Sequence, residues 1–232
     1  MSKNILIISG SSSIGNSLIK KFIEKKYNVV ATFNKNTLSL TSKKLKKIEL
    51  NILDQSSQNR FIQKIKDVNF SSIIILTGKI FGKNFKEMNL DNIKETFHIN
   101  FIYPTDLLKK IIFNQKLKKN YRVIFLSSIS STQGSYDPYY ASSKASLNMF
   151  IKCLSKDDLY KNMTICGIAP SLINNTNMFN TMTKNNIKKH VEKNPLKKLI
   201  EINDLSDFIF EISNPNKWSH LNGSVIDFNG GI

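Results

Sequence analysis

Long apolar runs are absent from this 232-residue sequence. No stretch approaches the ~20 apolar residues that a membrane-spanning helix needs. The N-terminal run Ile5–Ile8 is too short for the apolar core of a signal peptide. We therefore expect a cytoplasmic protein with no membrane partner. The 41% hydrophobic content is ordinary for a globular chain and argues against disorder.

Cysteine and histidine are scarce. Cys153 and Cys166 are too few and too far apart for a zinc site. His190 and His220 show no spacing typical of metal binding or of a catalytic triad, and we interpret His98, two residues before Asn100, as a helix-face histidine rather than a catalytic base. Because both cysteines lie in apolar surroundings, we expect them to be core residues in a reducing compartment. The sequence thus predicts no metal site.

Arginine is almost missing as well, since only Arg60 and Arg122 occur among 34 basic residues. The lysines are spread along the whole chain, whereas a nucleic-acid binder usually clusters its charge on one face and reads bases with arginine. We therefore expect no nucleic-acid partner, although the formal net charge is +17. Positive charge does favour ligands that carry phosphate, such as a dinucleotide, a carrier-protein arm or a sugar nucleotide.

Short apolar runs of strand length recur along the chain and are rich in Ile and Val. The runs are Ile5–Ser9, Asn28–Phe33, Lys47–Leu50, Ile73–Thr77, Val123–Ser127, Thr164–Ala169 and Ser224–Phe228. They show little polar alternation, as expected for parallel strands that are buried on both faces. Helical patterns separate them over Ile14–Lys26, Gln55–Asp67, Leu90–Lys119, Pro138–Asp157 and Asp204–Ile212.

This alternation of strands and helices predicts the fold class. It indicates a single α/β domain over residues 1–232, doubly wound and of Rossmann type, with a parallel sheet of about seven strands flanked by helices. The exception is the polar stretch Asn174–Leu199, between the sixth and seventh strands. Because connections of this length usually bind ligands or cover a site, we interpret it as a substrate-binding lid.

A loop of small residues follows the first strand and opens the first helix. Small side chains bring backbone N–H groups close to a pyrophosphate, and the helix N-terminus adds a favourable dipole. We predict that this loop binds a dinucleotide through Ser9, Gly10, Ser12, Ser13, Ile14 and Gly15. The alternative is a Gly/Ser turn that binds nothing. Its place after the first strand favours the nucleotide, since the ligand crevice of such sheets lies there.

The end of the second strand bears on the choice of cofactor. NAD enzymes tend to place an acid here that binds the ribose diol. This strand ends instead in Phe33, Asn34 and Lys35. A carboxylate would repel a 2′-phosphate, whereas Asn34 and Lys35 could bind one. We therefore expect NADP(H) in preference to NAD(H).

Tyr140 and Lys144 lie four residues apart in a predicted helix and therefore share one face. A free tyrosine has a pKa near 10, and an adjacent ammonium would stabilise its phenolate for proton exchange near neutral pH. In so lysine-rich a chain this spacing alone is weak evidence. The fifth strand, however, ends in Ser127 and Ser128, which places hydroxyls at the ligand-binding edge of the sheet.

Taken in order, these features resemble the short-chain dehydrogenase/reductase family over essentially the full chain. The matching features are the Gly-rich first turn, Asn100, Ser128, Tyr140-x-x-x-Lys144, Pro170 and the ending Gly230-Gly231. The resemblance implies that Tyr140 is the general acid or base and that Lys144 binds the nicotinamide ribose and lowers the Tyr140 pKa. It implies that Ser128 polarises the substrate carbonyl and that Asn100 kinks its helix and holds a proton-relay water.

The resemblance also extends the cofactor site. It implies further cofactor contacts at Asn51, Ile52, Thr77, Gly78, Pro170, Ile173 and Thr176. The chain departs from the family pattern in Ser9 and Ser13, which stand where the first two loop glycines are usual. Weak or unusual cofactor binding is the consequence to expect. The spacing to Tyr140 is one residue short from Ser128 and standard from Ser127, but the neighbouring residues align without a gap on Ser128, which we prefer.

The function that the resemblance implies is interconversion of a ketone and a secondary alcohol. A 3-oxoacyl thioester linked to a carrier protein is one expected substrate. The alternatives are a keto-sugar or sugar-nucleotide reductase of surface polysaccharide synthesis, and a catalytically silent NAD(P)-binding sensor. The family commonly packs its long helices into a homodimer or homotetramer. The apolar residues that could form this surface, or could equally face the sheet, are Leu107, Ile111, Leu147 and Phe150.

Overall fold

Parallel strands form one sheet within residues 3–114, 120–158 and 162–232, the parts of the chain that this computed structural model describes. The strands are β1 (Asn4–Ile8), β2 (Asn28–Phe33), β3 (Leu45–Glu49), β4 (Ser72–Ile75), β5 (Tyr121–Leu126), β6 (Met163–Pro170) and β7 (Val225–Phe228). Their order is β3-β2-β1-β4-β5-β6-β7, and every neighbouring pair is parallel. The predicted doubly wound α/β fold is confirmed.

Helices connect the strands and cover both faces of the sheet. They are α1 (Ser13–Glu24), α2 (Gln55–Ile65), α3 (Leu90–Phe97), α4 (Tyr103–Asn114), α5 (Ser130–Gln133), α6 (Pro138–Leu154), α7 (Asn177–Asn180), α8 (Lys184–Lys193) and α9 (Ile202–Ile212). Side-chain oxygens of Ser12, Asp54, Asn89 and Asp137 accept N–H groups in the first turns of α1, α2, α3 and α6, which fixes where these helices begin. Within the described ranges, none of the helices combines the length and apolar character needed to cross a membrane.

Alternate strand residues supply two apolar cores, one on each face of the sheet. In β1, Leu6 and Ile8 belong to the core that α2, α4 and α6 cover, whereas Ile5 and Ile7 belong to the core under α1 and α9. Successive side chains of a strand point to opposite faces, so a strand buried on both sides is apolar throughout. This explains the unbroken apolar runs in the sequence.

The strand order reverses at β1, which pairs with β2 on one side and with β4 on the other. The connections leave in opposite directions at this point and open a crevice beside the carboxyl ends of the strands. Because all strands are parallel, the segments that follow β1, β4, β5 and β6 meet at this edge. The candidate site lies there.

The helix predicted over Leu90–Lys119 is interrupted. After α3 ends at Phe97, the five residues His98–Ile102 form a π-helical turn, and α4 follows from Tyr103. The Tyr103 N–H donates to the carbonyl of His98, five residues earlier, so this turn holds one residue more than an α-helical one. Residues 115–119 of the predicted helix lie outside the described residues.

The stretch Asn174–Leu199, interpreted as a lid, contains α7 and α8. One expectation needs correction. Cys166 is buried, but Cys153 is exposed, so the prediction of two core cysteines is wrong for Cys153. The apolar neighbour Ile151 faces the sheet, and a helical residue two positions later points to nearly the opposite side.

The apolar residues considered for subunit packing lie mostly in the core. Leu107, Ile111 and Leu147 are at most 1% exposed and pack against the sheet, and Phe150 is partly buried beside them. The large apolar side chains that remain exposed in this region are Ile102, Phe113 and Met149. Any apolar contact between copies through these helices would therefore use this second set.

Candidate active site

The loop between β1 and α1 turns back on itself at Ser12. The Ser12 hydroxyl donates to the carbonyl of Ser9 at 2.9 Å and accepts the Gly15 N–H at 3.0 Å. Ser9 adopts a left-handed backbone with φ of 64°, and its N–H donates to the Thr32 hydroxyl at 3.0 Å. Ser9 thus holds a conformation that glycine adopts without strain, in agreement with the glycine usual at this position.

Gly10 and Gly15 are the positions where this loop leaves no room for a side chain. A Cβ atom on Gly15 would lie 2.5 Å from the carbonyl oxygen of Gly10, and one on Gly10 would lie 2.9 Å from the Cβ of Ala31. Ser9 and Ser13 are half-buried, so the two departures from the usual pattern occur where the chain accommodates side chains. The loop therefore keeps a tight turn that directs the N-terminus of α1 at the crevice.

The end of β2 borders this loop without a carboxylate. Phe33 is half-buried, and Asn34 and Lys35 are exposed. Gly10 donates its N–H to the carbonyl of Thr32 at 2.8 Å, which holds the two segments side by side. A group bound along the loop would thus meet an amide and an ammonium at this end, with no acid to repel a phosphate.

The remaining predicted cofactor contacts are dispersed along the same edge. Asn51 follows β3 and accepts the Leu53 N–H on its side-chain oxygen, and Ile52 is half-buried beside it. Ile173, after β6, is buried and forms an isolated parallel β-bridge with Ile200. Thr176 donates its hydroxyl to the Ile173 carbonyl and caps α7. Each of these segments follows the carboxyl end of a strand.

The first turn of α6 places Tyr140 in the interior of the site. Asp137 caps this helix by accepting the Tyr140 N–H at 3.0 Å, and Pro138 occupies the first turn, where its missing N–H costs nothing. Tyr140 is 5% exposed. Burial raises the pKa of its phenol, a side-chain hydrogen bond with Ser128 lowers it, and the Asp137 carboxylate raises it.

Lys144 lies one turn after Tyr140 and is almost fully buried. Its ammonium donates to the carbonyl of Leu126, at the end of β5, at 2.8 Å and to the carbonyl of Thr77, after β4, at 3.3 Å. Burial lowers the pKa of Lys144 to about 8. Two backbone carbonyls thus accept from a buried ammonium at the carboxyl edge of the sheet, one helical turn after Tyr140.

Asn100 belongs to the π-helical turn and is fully buried. Its side-chain oxygen accepts the Lys79 N–H at 2.7 Å, and its amide group donates to the Lys79 carbonyl at 2.9 Å and to the Ser143 hydroxyl at 3.0 Å. A Cβ added to Gly78 would lie 3.4 Å from the Lys144 Nζ and 3.8 Å from the Asn100 side-chain oxygen. Asn100, Gly78 and Lys144 are therefore neighbours.

The two serines after β5 point in different directions. The Ser128 side chain lowers the pKa of the Tyr140 phenol, whereas Ser127 donates its hydroxyl to the side-chain oxygen of Asn148 at 2.5 Å. The structure thus brings Ser128, Tyr140, Lys144 and Asn100 together. Of these two serines, Ser128 is the one that affects the pKa of the phenol, which favours it over Ser127 as the hydroxyl that acts with Tyr140.

Sequence reasoning did not single out three polar residues around this cluster. Ser143 links Asn100 to the Tyr140 carbonyl, Asp137 caps the helix, and Asn148 contacts Ser127. Asp137-Pro138 has the usual pattern of a helix N-terminus and could have been found. Asn148 is four residues after Lys144 and so shares its face, but that spacing does not indicate a hydrogen-bond partner.

A family model described as short chain dehydrogenase matches residues 3–187 of the chain. Two similar curated proteins are both named 3-oxoacyl-[acyl-carrier-protein] reductase FabG. The one from Aquifex aeolicus (strain VF5) is 23% identical over 231 residues, covering 98% of this chain and 86% of its own length. The one from Rickettsia typhi (strain ATCC VR-144 / Wilmington) is 26% identical over 243 residues, covering 99% and 96%.

Solved structures share the fold over the whole chain. A short chain dehydrogenase family protein from Francisella tularensis subsp. tularensis SCHU S4 superposes with a TM-score of 0.87 at 20% identity and covers 98% of this chain and 97% of its own. A structure described as ElxO with NADP bound also gives a TM-score of 0.87 at 20% identity and covers 99% and 98%.

Proposed function

The chain belongs to the short-chain dehydrogenase family, and on that premise we propose that it is an NADP(H)-dependent oxidoreductase that interconverts a ketone and a secondary alcohol by hydride transfer. The observation that carries the proposal is the cluster of Ser128, Tyr140 and Lys144, with Asn100 beside it, at the edge of the sheet where the β1–α1 loop also ends. A hydroxyl pair beside a buried ammonium can hold a carbonyl oxygen and move a proton to it.

Each residue has a role in this proposal. NADP(H) supplies or accepts the hydride when bound. Tyr140 donates a proton to the carbonyl oxygen during reduction and removes it during oxidation. Ser128 donates a hydrogen bond to the same oxygen as negative charge develops there. Lys144 holds the nicotinamide ribose and stabilises the Tyr140 phenolate, and Asn100 holds a water that relays protons.

The residues present fit the cofactor. In the proposal the tight turn of Gly10 and Gly15 and the N-terminus of α1 hold the pyrophosphate. Ser9, Ser12, Ser13 and Ile14 complete that loop, while Asn34 and Lys35 bind the 2′-phosphate beside Phe33. The adenine, nicotinamide and carboxamide contacts come from Asn51, Ile52, Thr77, Gly78, Pro170, Ile173 and Thr176. The lid over 174–199 would cover the substrate.

NADPH is expected to stabilise the protein against heat more than NADH does at equal concentration. A ligand present at 100 times its Kd stabilises the folded state by about 2.7 kcal/mol, so a difference in affinity appears directly as a difference in Tm. Scanning fluorimetry over a concentration series measures it. Lys35→Glu should reverse the preference, because a carboxylate repels the 2′-phosphate and accepts hydrogen bonds from a ribose diol.

Lys156→Glu is the matched control for that charge change, since Lys156 is exposed after α6. It should leave the order of the two nucleotides unchanged. Equal shifts from NADPH and NADH in the wild-type chain would contradict the cofactor assignment. No shift from either nucleotide would contradict the proposed function itself.

The substrate that we propose is a 3-oxoacyl thioester, presented on a carrier arm. The two curated relatives named above support this, since both are named as reductases of carrier-linked 3-oxoacyl groups. The net charge of +17 supports it too, because a phosphate-bearing arm and an acidic carrier are attracted to a basic protein. NADPH oxidation with a carbonyl panel that includes 3-oxoacyl thioesters and keto sugars tests the choice.

Asp137→Asn is expected to move the alkaline limb of the reduction rate to lower pH. Reduction requires protonated Tyr140, so it declines as the pH rises through the phenol pKa, which the Asp137 carboxylate raises. Asparagine keeps an oxygen that can accept the Tyr140 N–H but removes the charge. Asp54→Asn makes the same exchange at the cap of α2 and should not shift the profile. Coincident profiles for Asp137→Asn and wild type would show that this charge does not act on Tyr140.

We also propose a homodimer or homotetramer. Ile102, Phe113 and Met149, exposed around the outer sides of α4 and α6, offer an apolar surface for it. Leu107, Ile111 and Leu147 are buried and hold their helices on the sheet, so they would contribute to the contact between subunits only indirectly.

A further inference from the structure

Asn148 bridges two serines that flank the site. It lies on α6, one turn after Lys144, and its side chain is 8% exposed. Its side-chain oxygen accepts the Ser127 hydroxyl at 2.5 Å, and its amide nitrogen donates to the Ser131 hydroxyl at 2.6 Å. A single amide thus joins the end of β5 to the start of α5, across the position of Ser128.

Two hydrogen bonds from residues of α5 hold Ser128 in place. The Ser131 hydroxyl donates to the Ser128 carbonyl at 2.6 Å, and the Ser130 N–H donates to the Ser128 hydroxyl oxygen at 3.2 Å. With its oxygen accepting from Ser130, the Ser128 hydroxyl still has its own proton to donate. That proton is available to Tyr140 or to a carbonyl oxygen beside it.

The direction of each hydrogen bond requires a side chain at position 148 that both donates and accepts, as asparagine does. A serine hydroxyl has one proton, and Ser131 donates its proton to Ser128, so the partner of Ser131 must be a donor. Ser127 also donates, so its partner must be an acceptor. Only a side chain with both groups satisfies the two serines, and in a buried network an unmade hydrogen bond is costly.

We propose that Asn148 is a positioning residue for reduction: it holds Ser128 with its hydroxyl on Tyr140 and keeps the neighbouring Ser127 turned away. The inference rests on the proposed function, because it assigns Asn148 a part in that same chemistry. Asn148 itself does not touch Tyr140, so it acts through Ser131 and the backbone of Ser128.

The test is the rate of NADPH oxidation with acetoacetyl-coenzyme A, a small soluble 3-oxoacyl thioester. Asn148→Ala is expected to lower kcat about tenfold, because misplacing a catalytic group by a fraction of an ångström weakens its contact in the transition state. The KM for NADPH should change by less than about twofold, since the nucleotide loop is untouched. Ser146→Ala, on the same helix with its hydroxyl bonded only to the Ser142 carbonyl, is the control and should leave kcat unchanged.

A double-mutant cycle separates positioning from general destabilisation. Ser128→Ala alone should lower kcat by about 10²-fold. In that background Asn148→Ala should lower it by less than about twofold further, because the group it positions is already gone. If the two effects multiply, Asn148 does not act through Ser128 and the inference is wrong.

Two further experiments keep the inference testable. Asn148→Asp has the shape of asparagine but cannot donate to Ser131, so it should reproduce the loss if Asn148→Ala does not fold; wild-type kcat in Asn148→Asp would overturn the inference. If the wild-type chain reduces no carbonyl of the panel, the proposed function fails, and the crystal structure of Asn148→Ala then decides. A Ser128 hydroxyl turned away from Tyr140 would show that Asn148 positions Ser128 even though the reduction fails, and one that has not moved refutes the inference.

Discussion

Tyr140→Phe is expected to lower kcat for carbonyl reduction by at least about 10³-fold, because it removes the group that protonates the developing alkoxide. The affinity for NADPH should change by less than about twofold, since the phenylalanine ring fills the same buried volume and the nucleotide loop lies elsewhere. Single-turnover measurement of NADPH oxidation, together with a binding titration, separates the two effects.

The matched control is Tyr139→Phe. It removes the same hydroxyl one residue earlier, from a ring that stacks on Phe85 at a centroid distance of 6.1 Å. It should retain kcat close to that of the wild type. A Tyr140→Phe variant that retains turnover would exclude Tyr140 as the proton donor. Loss of NADPH binding in the same variant would show instead that the phenol holds the cofactor site together.

Order along the chain was enough to predict the fold and the place of the site. Apolar runs alternating with helical patterns indicate a doubly wound sheet, and its carboxyl edge then follows from the parallel direction of the strands. Tyr140 and Lys144 follow from their spacing, because residues four apart on a helix are neighbours. These features depend on periodicity and sequence order, which can be read from one sequence.

Features that depend on a single residue of register were not predictable in this way. The π-helical turn at Asn100 needs one residue more than an α-helical turn, and the apolar pattern of Leu90–Lys119 does not reveal where it is inserted. The resemblance implies Ser128 and a kink at Asn100, but periodicity alone shows neither, and the orientation of Ser127 depends on its hydrogen bond to Asn148. The burial of Leu107, Ile111 and Leu147 depends on which face of their helices meets the sheet.

Gly15→Ala is expected to abolish NADPH binding and to lower the free energy of unfolding by about 1–3 kcal/mol, the cost of overpacking a tight site. The added Cβ would lie 2.5 Å from the Gly10 oxygen and 2.7 Å from its carbonyl carbon, and backbone atoms cannot rotate away as a side chain can. Relief requires the loop to open, which breaks the cap from Gly15 to Ser12 and moves the N-terminus of α1 away from the pyrophosphate. Ser11→Ala is the control, because it changes the same loop without adding a Cβ at a residue not assigned to the cofactor, and it should retain binding and most of the stability. Thermal unfolding with and without NADPH measures both quantities. A Gly15→Ala variant that NADPH still stabilises as it does the wild type would show that this turn does not hold the cofactor, whatever the remaining site does.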